Sequence, residues 1–213
     1  MATQQVNEIS KGAQVLESRG ISRRKFLGYC AGIATMIGLS QTAAPQIAEA
    51  LESVIGNSEG NLKPVIWLEG ASCTGCTEAF AQVDTPDVPS VVLELLSLNY
   101  SETLSAAAGH SMEEARKQTI AAGGYLVVYE GAVVEGWDGN ALRIADEKGT
   151  DILLETAYSA EAVIAYGSCA CDGGWQAARP NPSGALGVQK FLKKNGIDTP
   201  VINIPCCPGN PEW

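Results

Sequence analysis

Residues 64–76 have the sequence PVIWLEGASCTGC, in which a short apolar run leads directly into a pair of cysteines. The run from Pro64 to Leu68 is rich in β-branched and aromatic residues and predicts a buried β-strand. The next residues predict a loop, and a helix is expected from about Thr77. A strand, a cysteine-bearing loop and a helix in this order form the unit from which parallel α/β sheets are built.

Apolar runs and helical patterns alternate along the rest of the chain. We expect further strands over Val91 to Leu98, Tyr125 to Tyr129, Ala162 to Tyr166 and Val201 to Ile204. We expect helices over Ser105 to Ala122, Ile152 to Tyr158 and Ala185 to Asn195. The leucine and glutamate content of the first of these strands also allows a helix. The pattern indicates an α/β fold, an open parallel sheet with helices on both faces.

The first fifty residues have the pattern of an export signal. Two arginines at positions 23 and 24 precede an apolar run that ends near Leu39 and is too short and glycine-rich to span a bilayer. A small-residue A-x-A site ends at Ala50, and the arginine pair indicates the twin-arginine type. We therefore expect residues 1–50 to be a signal peptide and residues 51–213 to form one domain in the periplasm.

Composition excludes several functional classes. The 213 residues include 14 basic and 24 acidic side chains, which gives a formal net charge of −10. This acidic balance argues against a nucleic-acid partner, because binding phosphates needs a basic face. A hydrophobic content of 46% with 18% charged residues also excludes a disordered chain.

Six cysteines follow predicted strands at their C-terminal ends. They fall into three groups: Cys73 and Cys76, Cys169 and Cys171, and Cys206 and Cys207. Open α/β sheets bind ligands at the edge formed by the C-terminal ends of their strands, so we expect the three loops to converge there. The sequence therefore predicts a thiol-lined site at that edge of the sheet.

The cysteines allow three interpretations. Cys73 and Cys76, with one cysteine from each of the other two loops, supply the four thiolates of a 4Fe–4S cluster. A structural zinc ion accepts the same four ligands. Six cysteines of an exported protein could also form disulfides, although adjacent Cys206 and Cys207 pair poorly with each other. We favour the iron–sulfur cluster, because a domain of this size does not need disulfides to be stable.

The cysteine loops resemble those of the small subunit of nickel–iron hydrogenases, which also begin with a twin-arginine leader. The resemblance rests on three ordered motifs: Ser72-Cys73-Thr74-Gly75-Cys76-Thr77-Glu78, Gly167-Ser168-Cys169-Ala170 and Ile204-Pro205-Cys206-Cys207-Pro208-Gly209-Asn210-Pro211. It implies a flavodoxin-like domain that binds the proximal 4Fe–4S cluster. By motif position it implies these cluster ligands: Cys73, Cys76, Cys169 and Cys207.

The resemblance also implies a function. The chain would relay electrons as the small subunit of a periplasmic hydrogenase, with no catalytic residue of its own. The nickel–iron centre would lie on a large-subunit partner, and the acceptor would be a cytochrome or a membrane partner. Two alternatives remain. One is an exported zinc- or disulfide-stabilised binding module. The other is the related cluster subunit of quinone reductases, which has adjacent cysteines in place of Cys73-x-x-Cys76.

Two features depart from the family pattern. The domain that carries the medial and distal clusters in that family has no counterpart here, which is compatible with a fragment or with a reduced subunit. Cys171 and Cys206 are additional thiols, and the family usually has glycine in place of Cys206. Oxygen-tolerant relatives carry their extra cysteines at the positions of Gly75 and Gly174, so their signature is absent. We expect Cys171 and Cys206 to be neighbours of the cluster or parts of an altered one.

Glu78 lies at the expected start of the helix that follows Cys76. A carboxylate there complements the partial positive charge of a helix N-terminus. We expect a capping and interface role near the cluster, and proton movement is the alternative.

Overall fold

The structure is a computed structural model of the chain, and it describes residues 22–36, 40, 42, 44, 45, 48, 62–105 and 107–212. The chain divides into two units, Met1–Lys63 and Pro64–Trp213. In the first unit, helix α1 (Arg23–Met36) contains the arginine pair and most of the apolar run. The expected cleavage point after Ala50 lies outside the described residues. Among the helices that the structure describes, none has the length and apolar character needed to cross a membrane.

A five-stranded sheet forms the centre of the second unit. In chain order the strands are β1 (Lys63–Glu69), β2 (Leu96–Ser101), β3 (Leu126–Glu130), β4 (Val133–Val134), β5 (Arg143–Ile144), β6 (Glu147–Lys148), β7 (Ala162–Tyr166), β8 (Ala185–Leu186) and β9 (Val201–Ile204). The sheet has the order β2-β1-β3-β7-β9. The pairs β1–β3, β3–β7 and β7–β9 are parallel. This is the strand order of flavodoxin, and it confirms the predicted fold class.

Helices cover both faces of the sheet. In chain order they are α2 (Gly75–Ala81), α3 (Val88–Ser90), α4 (His110–Ala122), α5 (Gly149–Tyr158), α6 (Ser168–Asp172) and α7 (Val188–Lys194). On one face Ile66 and Leu68 pack into a core with residues of α4, α5 and α7. On the other face Val65 and Trp67 pack with Phe80 of α2. Alternate residues of a strand point to opposite faces, so burial on both sides explains the near-continuous apolar runs.

The predicted strand Val91 to Leu98 is wrong over its first half. Asp87 begins a helical turn because its carboxylate accepts a hydrogen bond from Ser90 N at 3.0 Å. The turn continues as a π-helix over Val91–Leu95, so β2 starts only at Leu96. An apolar run of this length is compatible with either element, and the capping aspartate decides between them.

Two predicted helices begin later than expected. The helix predicted from Ser105 starts at His110, because Ser101 and Ser105 hold a turn ahead of it. The helix predicted from Ala185 starts at Val188, because Ala185–Leu186 pairs antiparallel with β4 as strand β8. The strands β7 and β9 have the predicted bounds.

Candidate metal centre

The three cysteine loops converge on one cavity at the C-terminal edge of the sheet, as predicted. The cavity has a volume of about 80 Å³. Five of the six predicted cysteines line it: Cys73, Cys76, Cys169, Cys206 and Cys207. Cys73, Cys206 and Cys207 are exposed, whereas Cys76 and Cys169 are partly buried. All four of the expected cluster ligands therefore surround one space.

The loop after β1 places the first two cysteines. Thr74 adopts a left-handed conformation with φ of 65°, which turns the chain between Cys73 and Cys76. A β-carbon at Gly75 would lie 3.1 Å from Cys73 Sγ. Glycine at this position therefore lets the backbone pass close to the sulfur. Cys76 follows in the first turn of α2 and faces the cavity.

Glu130, the last residue of β3, fixes the start of α2. Its buried carboxylate accepts hydrogen bonds from Cys76 N at 3.1 Å, from Thr77 N at 2.8 Å and from Thr77 Oγ1 at 2.6 Å. Glu78 lies exposed in the first turn of the same helix. The hydrogen-bonding part of the capping role expected of Glu78 therefore belongs to Glu130. A charged residue that ends a buried strand at the ligand-binding edge was the sequence signal for it.

The loop after β7 brings the third cysteine against the first loop. Gly167 has φ of 90°, and a β-carbon there would overlap Cys76 Sγ. Cys169 lies in α6, and its thiol contacts Gln176 Oε1 at 3.3 Å. Gln176 also donates through Nε2 to Ala71 O at 2.8 Å, so it links the first and second cysteine loops. Gln176 is a site residue that the sequence did not indicate.

The loop after β9 is held at both ends. Cys206 N donates to Ser168 Oγ at 3.1 Å, and Ser168 N donates to Cys206 O at 2.8 Å. Further along, Gly209 N donates to Cys76 Sγ at 3.3 Å, and Tyr166 Oη donates to Gly209 O at 3.0 Å. Cys207 lies between these two attachments. The loop is therefore fastened to both of the other cysteine loops.

Burial makes the inner thiols reluctant to ionise. Burial raises the pKa of Cys76 to about 11. The hydrogen bond from Gly209 N–H lowers this pKa, whereas the charges of Glu130, Cys169 and Cys207 raise it further. Burial is also the main cause of the raised pKa of Cys169. Partly buried thiols of this kind ionise readily only beside a cationic centre, because metal coordination removes the thiol proton. The donor set therefore fits a positively charged iron–sulfur core.

Cys171 differs from the other five cysteines. It packs against the core, and its thiol contacts Ala165 O at 3.4 Å. Burial, followed by the charge of Asp172, raises its pKa to about 12. The cavity is lined by Cys169 and not by Cys171. The structure thus brings Cys206 to the site and leaves Cys171 behind it.

The six cysteines from Cys73 to Cys207 are all free thiols. The disulfide interpretation stays an alternative. Within the described ranges, no three histidine, cysteine, aspartate or glutamate side chains lie close enough together to hold a metal ion as they stand.

Comparison with known proteins identifies the class to which this fold and site belong. Residues 73–213 match the family model described as the 20 kDa subunit of NADH ubiquinone oxidoreductase, and the chain belongs to that family. Its relatives include small subunits of nickel–iron hydrogenases. It is 39% identical to the periplasmic nickel–iron hydrogenase small subunit 1 of Nitratidesulfovibrio vulgaris, over 92% of this chain and 60% of the relative. It is 40% identical to the uptake hydrogenase small subunit of Azotobacter vinelandii, over 91% and 52% respectively.

Solved structures agree with the sequence comparison. A recombinant nickel–iron–selenium hydrogenase from Desulfovibrio vulgaris Hildenborough matches with a TM-score of 0.70 and 37% identity, over 73% of this chain and 57% of that one. These matches confirm the resemblance that the cysteine motifs indicated. The chain spans a little more than half the length of the relatives that it matches.

Proposed function

We propose that this chain is the electron-transfer small subunit of a periplasmic nickel–iron hydrogenase. The observation that carries the proposal is the single cavity lined by Cys73, Cys76, Cys169 and Cys207. Each of these thiols lies in a loop or a first helical turn just past the C-terminal edge of the sheet, and the four together match the ligand number of a 4Fe–4S cluster. The bound cluster would supply one-electron transfer between the large-subunit nickel–iron site and an acceptor.

The residues around the thiols have distinct tasks in this proposal. The four cysteines hold the cluster, and Gly209 N–H donates to Cys76 Sγ. Gln176 lies beside Cys169 and ties its loop to Ala71 O. Hydrogen bonds to the sulfurs are one means by which a protein sets a cluster potential. Gly167 leaves the space that Cys76 Sγ fills. Glu130 accepts a hydrogen bond from Cys76 N and so fixes the backbone from which the Cys76 side chain projects.

The shape of the site favours a cluster over a single zinc ion. Zinc binds four sulfurs at about 2.3 Å, so its ligands must converge on one point. Here the thiols instead surround a cavity of about 80 Å³. The proposed partner is a large subunit with the nickel–iron centre, and the proposed location is the periplasm. Relatives named as periplasmic hydrogenase small subunits and the twin-arginine pattern support both.

A cluster subunit of a quinone reductase is the second candidate, because the family model carries that description. The hydrogenase is favoured by the identity of 39–40% to hydrogenase small subunits. The nickel content of the complex distinguishes the two candidates. It is measured on the complex that this chain pulls down after coexpression with its large subunit. The absence of nickel together with quinone reduction would support the second candidate.

Metal analysis of the mature chain, prepared without oxygen, tests the cluster directly. We expect about four irons and four acid-labile sulfides per chain. Cys73→Ala should lose the cluster, whereas Cys171→Ala should keep it, because Cys171 does not line the cavity. One zinc per chain, or six oxidised thiols without metal, would contradict the electron-transfer function and leave the exported binding module.

A further inference from the structure

The cavity offers more thiols than a cluster needs. A 4Fe–4S cluster takes four thiolates, yet five cysteines line this cavity. The fifth, Cys206, immediately precedes the proposed ligand Cys207 in the chain. Both are exposed, so neither is committed to packing in the core.

Cys206 lies at the cavity with a backbone conformation that residues other than glycine rarely adopt. Its φ is 121°, in a region that favours glycine. The segment cannot easily relax, because Cys206 N donates to the Ser168 hydroxyl and Cys206 O accepts from Ser168 N. Three residues further on, Gly209 N donates a hydrogen bond to Cys76 Sγ, and Gly209 O accepts one from the Tyr166 hydroxyl. A residue with a β-carbon is thus kept at a glycine-type position beside the cavity.

The other extra cysteine shows what a thiol with a packing role looks like in this fold. Cys171 is half-buried, contacts Ala165 O and packs against the core. Cys206 has neither of these features and lines the cavity instead. A disulfide between Cys206 and Cys207 is disfavoured, because neighbouring residues meet the required geometry poorly.

We infer that Cys206 is an alternative ligand for the iron that Cys207 binds, so that the site can exchange one thiolate for the other. This inference rests on the proposed function. In the exchange, the Cys206 thiol releases its proton to solvent and forms one sulfur–iron bond. The bond from Cys207 breaks, and the Cys207 thiolate takes up a proton. The count of four thiolates and the charge of the cluster do not change.

Four variants of the mature chain, coexpressed with its large subunit and prepared without oxygen, test the inference. Cys207→Ala should keep about four irons and four sulfides, because Cys206 takes over the bond. The double variant Cys206→Gly/Cys207→Ala should lose the cluster. Cys206→Gly alone should keep it, and glycine suits the backbone at that position. Cys73→Ala is the matched control, because it removes an exposed ligand that has no cysteine directly beside it in the chain.

Spectroscopy adds a readout that iron content does not give. The electron paramagnetic resonance spectrum of reduced Cys207→Ala should show a 4Fe–4S signal with shifted g values, since the ligating sulfur approaches from another direction. Circular dichroism of each variant separates cluster loss from misfolding. If Cys207→Ala is folded but has lost its cluster, or if Cys73→Ala keeps as much iron as Cys207→Ala, the inference is wrong. A wild-type chain without a cluster would instead refute the proposed function.

Discussion

Gly167 illustrates how tightly single residues constrain the site. Alanine at this position would meet two obstacles, the φ of 90° and the overlap of its β-carbon with Cys76 Sγ. Because the sulfur of a proposed ligand would have to move, we predict that Gly167→Ala loses the cluster. Iron and sulfide analysis of the anaerobically prepared chain measures the loss.

Gly196 provides the matched control for this prediction. Its φ is 72°, and a β-carbon there would have open space around it. Gly196→Ala should therefore cost about 1–2 kcal/mol of stability and keep the full iron content. Equal iron content in the two variants would show that the contact with Cys76 Sγ is unimportant for the site.

The sequence predicted the cysteines of the site better than their supporting residues. Thiols at strand ends are rare and specific, so the positions of Cys73, Cys169 and Cys207 in the chain were enough to assign them to one edge. Gln176 could not be assigned, because glutamine occurs in every part of a surface, and the place of Glu130 at the end of a buried strand did not show which backbone groups it caps. Their roles depend on residues more than fifty positions away in the chain. Such contacts follow from the topology and not from local spacing.

At the scale of elements, Glu130 joins the end of β3 to the start of α2. Glu130→Gln would present an amide group to backbone and hydroxyl donors that now share a carboxylate. Leaving one buried donor without an acceptor costs about 1–3 kcal/mol, so we predict a loss of that size. Urea denaturation measures it. Glu78→Gln, an exposed change on the same helix, should alter stability by less than about 0.5 kcal/mol. Similar effects of the two substitutions would contradict the assignment of the cap to Glu130.

Arg116 of α4 connects its own helix to α5 and β6. Its fully buried guanidinium pairs with Glu113 at 3.0 Å, with Glu155 at 2.7 Å and with Glu147 at 3.5 Å. Removing it leaves the mostly buried Glu113 carboxylate without its cation. We predict that Arg116→Met loses about 3 kcal/mol of unfolding free energy, measured by urea denaturation.

Lys117 is the control for Arg116. It follows Arg116 in α4 and pairs with Glu147, but about half of its side chain is exposed. Exposed ion pairs contribute about 0–1 kcal/mol, so Lys117→Met should have a small effect. A loss of less than about 1 kcal/mol for Arg116→Met would show that the buried network does not stabilise the packing of α4 on α5.

The elements that the sequence predicted correctly share one property. Strands such as Ala162–Tyr166 and Val201–Ile204 are short apolar runs. Gly167 ends the first and Pro205 ends the second, so the sequence itself marks where each strand stops. At Ala185 the predicted helix start was wrong because Ala185–Leu186 pairs with β4. The other errors occurred where side chains bond to nearby backbone, as at Asp87, which converts an apolar run into a helical turn. Such local bonds decide an element's boundary but leave its hydrophobic pattern unchanged.

At the scale of the whole molecule, carboxylates gather at one edge of an already acidic chain. Glu102 Oε2 accepts a hydrogen bond from Glu69 N at 3.0 Å. Burial raises the pKa of Glu69, and the nearby Glu130 adds to the rise. Burial also raises the pKa of the Glu102 carboxyl to about 8, a rise that backbone hydrogen bonds oppose. The folded chain therefore binds protons at these groups more tightly than the unfolded chain does.

This difference sets the sign of a pH dependence. A carboxyl with a raised pKa contributes stability below its unfolded pKa, near 4.5, and loses that contribution as the pH rises towards 8. We predict that Glu102→Gln, which cannot ionise, gains stability relative to the wild type between about pH 5 and pH 9. More than a third of Glu102 is exposed, so solvent weakens the effect and the expected result is its direction.

Urea denaturation of the wild type and of Glu102→Gln, at about pH 5 and about pH 9, measures this change. The difference in unfolding free energy, variant minus wild type, should become more positive as the pH rises. Glu114→Gln is the control, because Glu114 lies exposed on α4, where its carboxylate accepts a hydrogen bond from Gln118. A difference that stays constant with pH for Glu102→Gln would mean that its carboxyl titrates alike in the folded and unfolded chains. Proton binding at Glu102 would then not contribute to the change of unfolding free energy with pH.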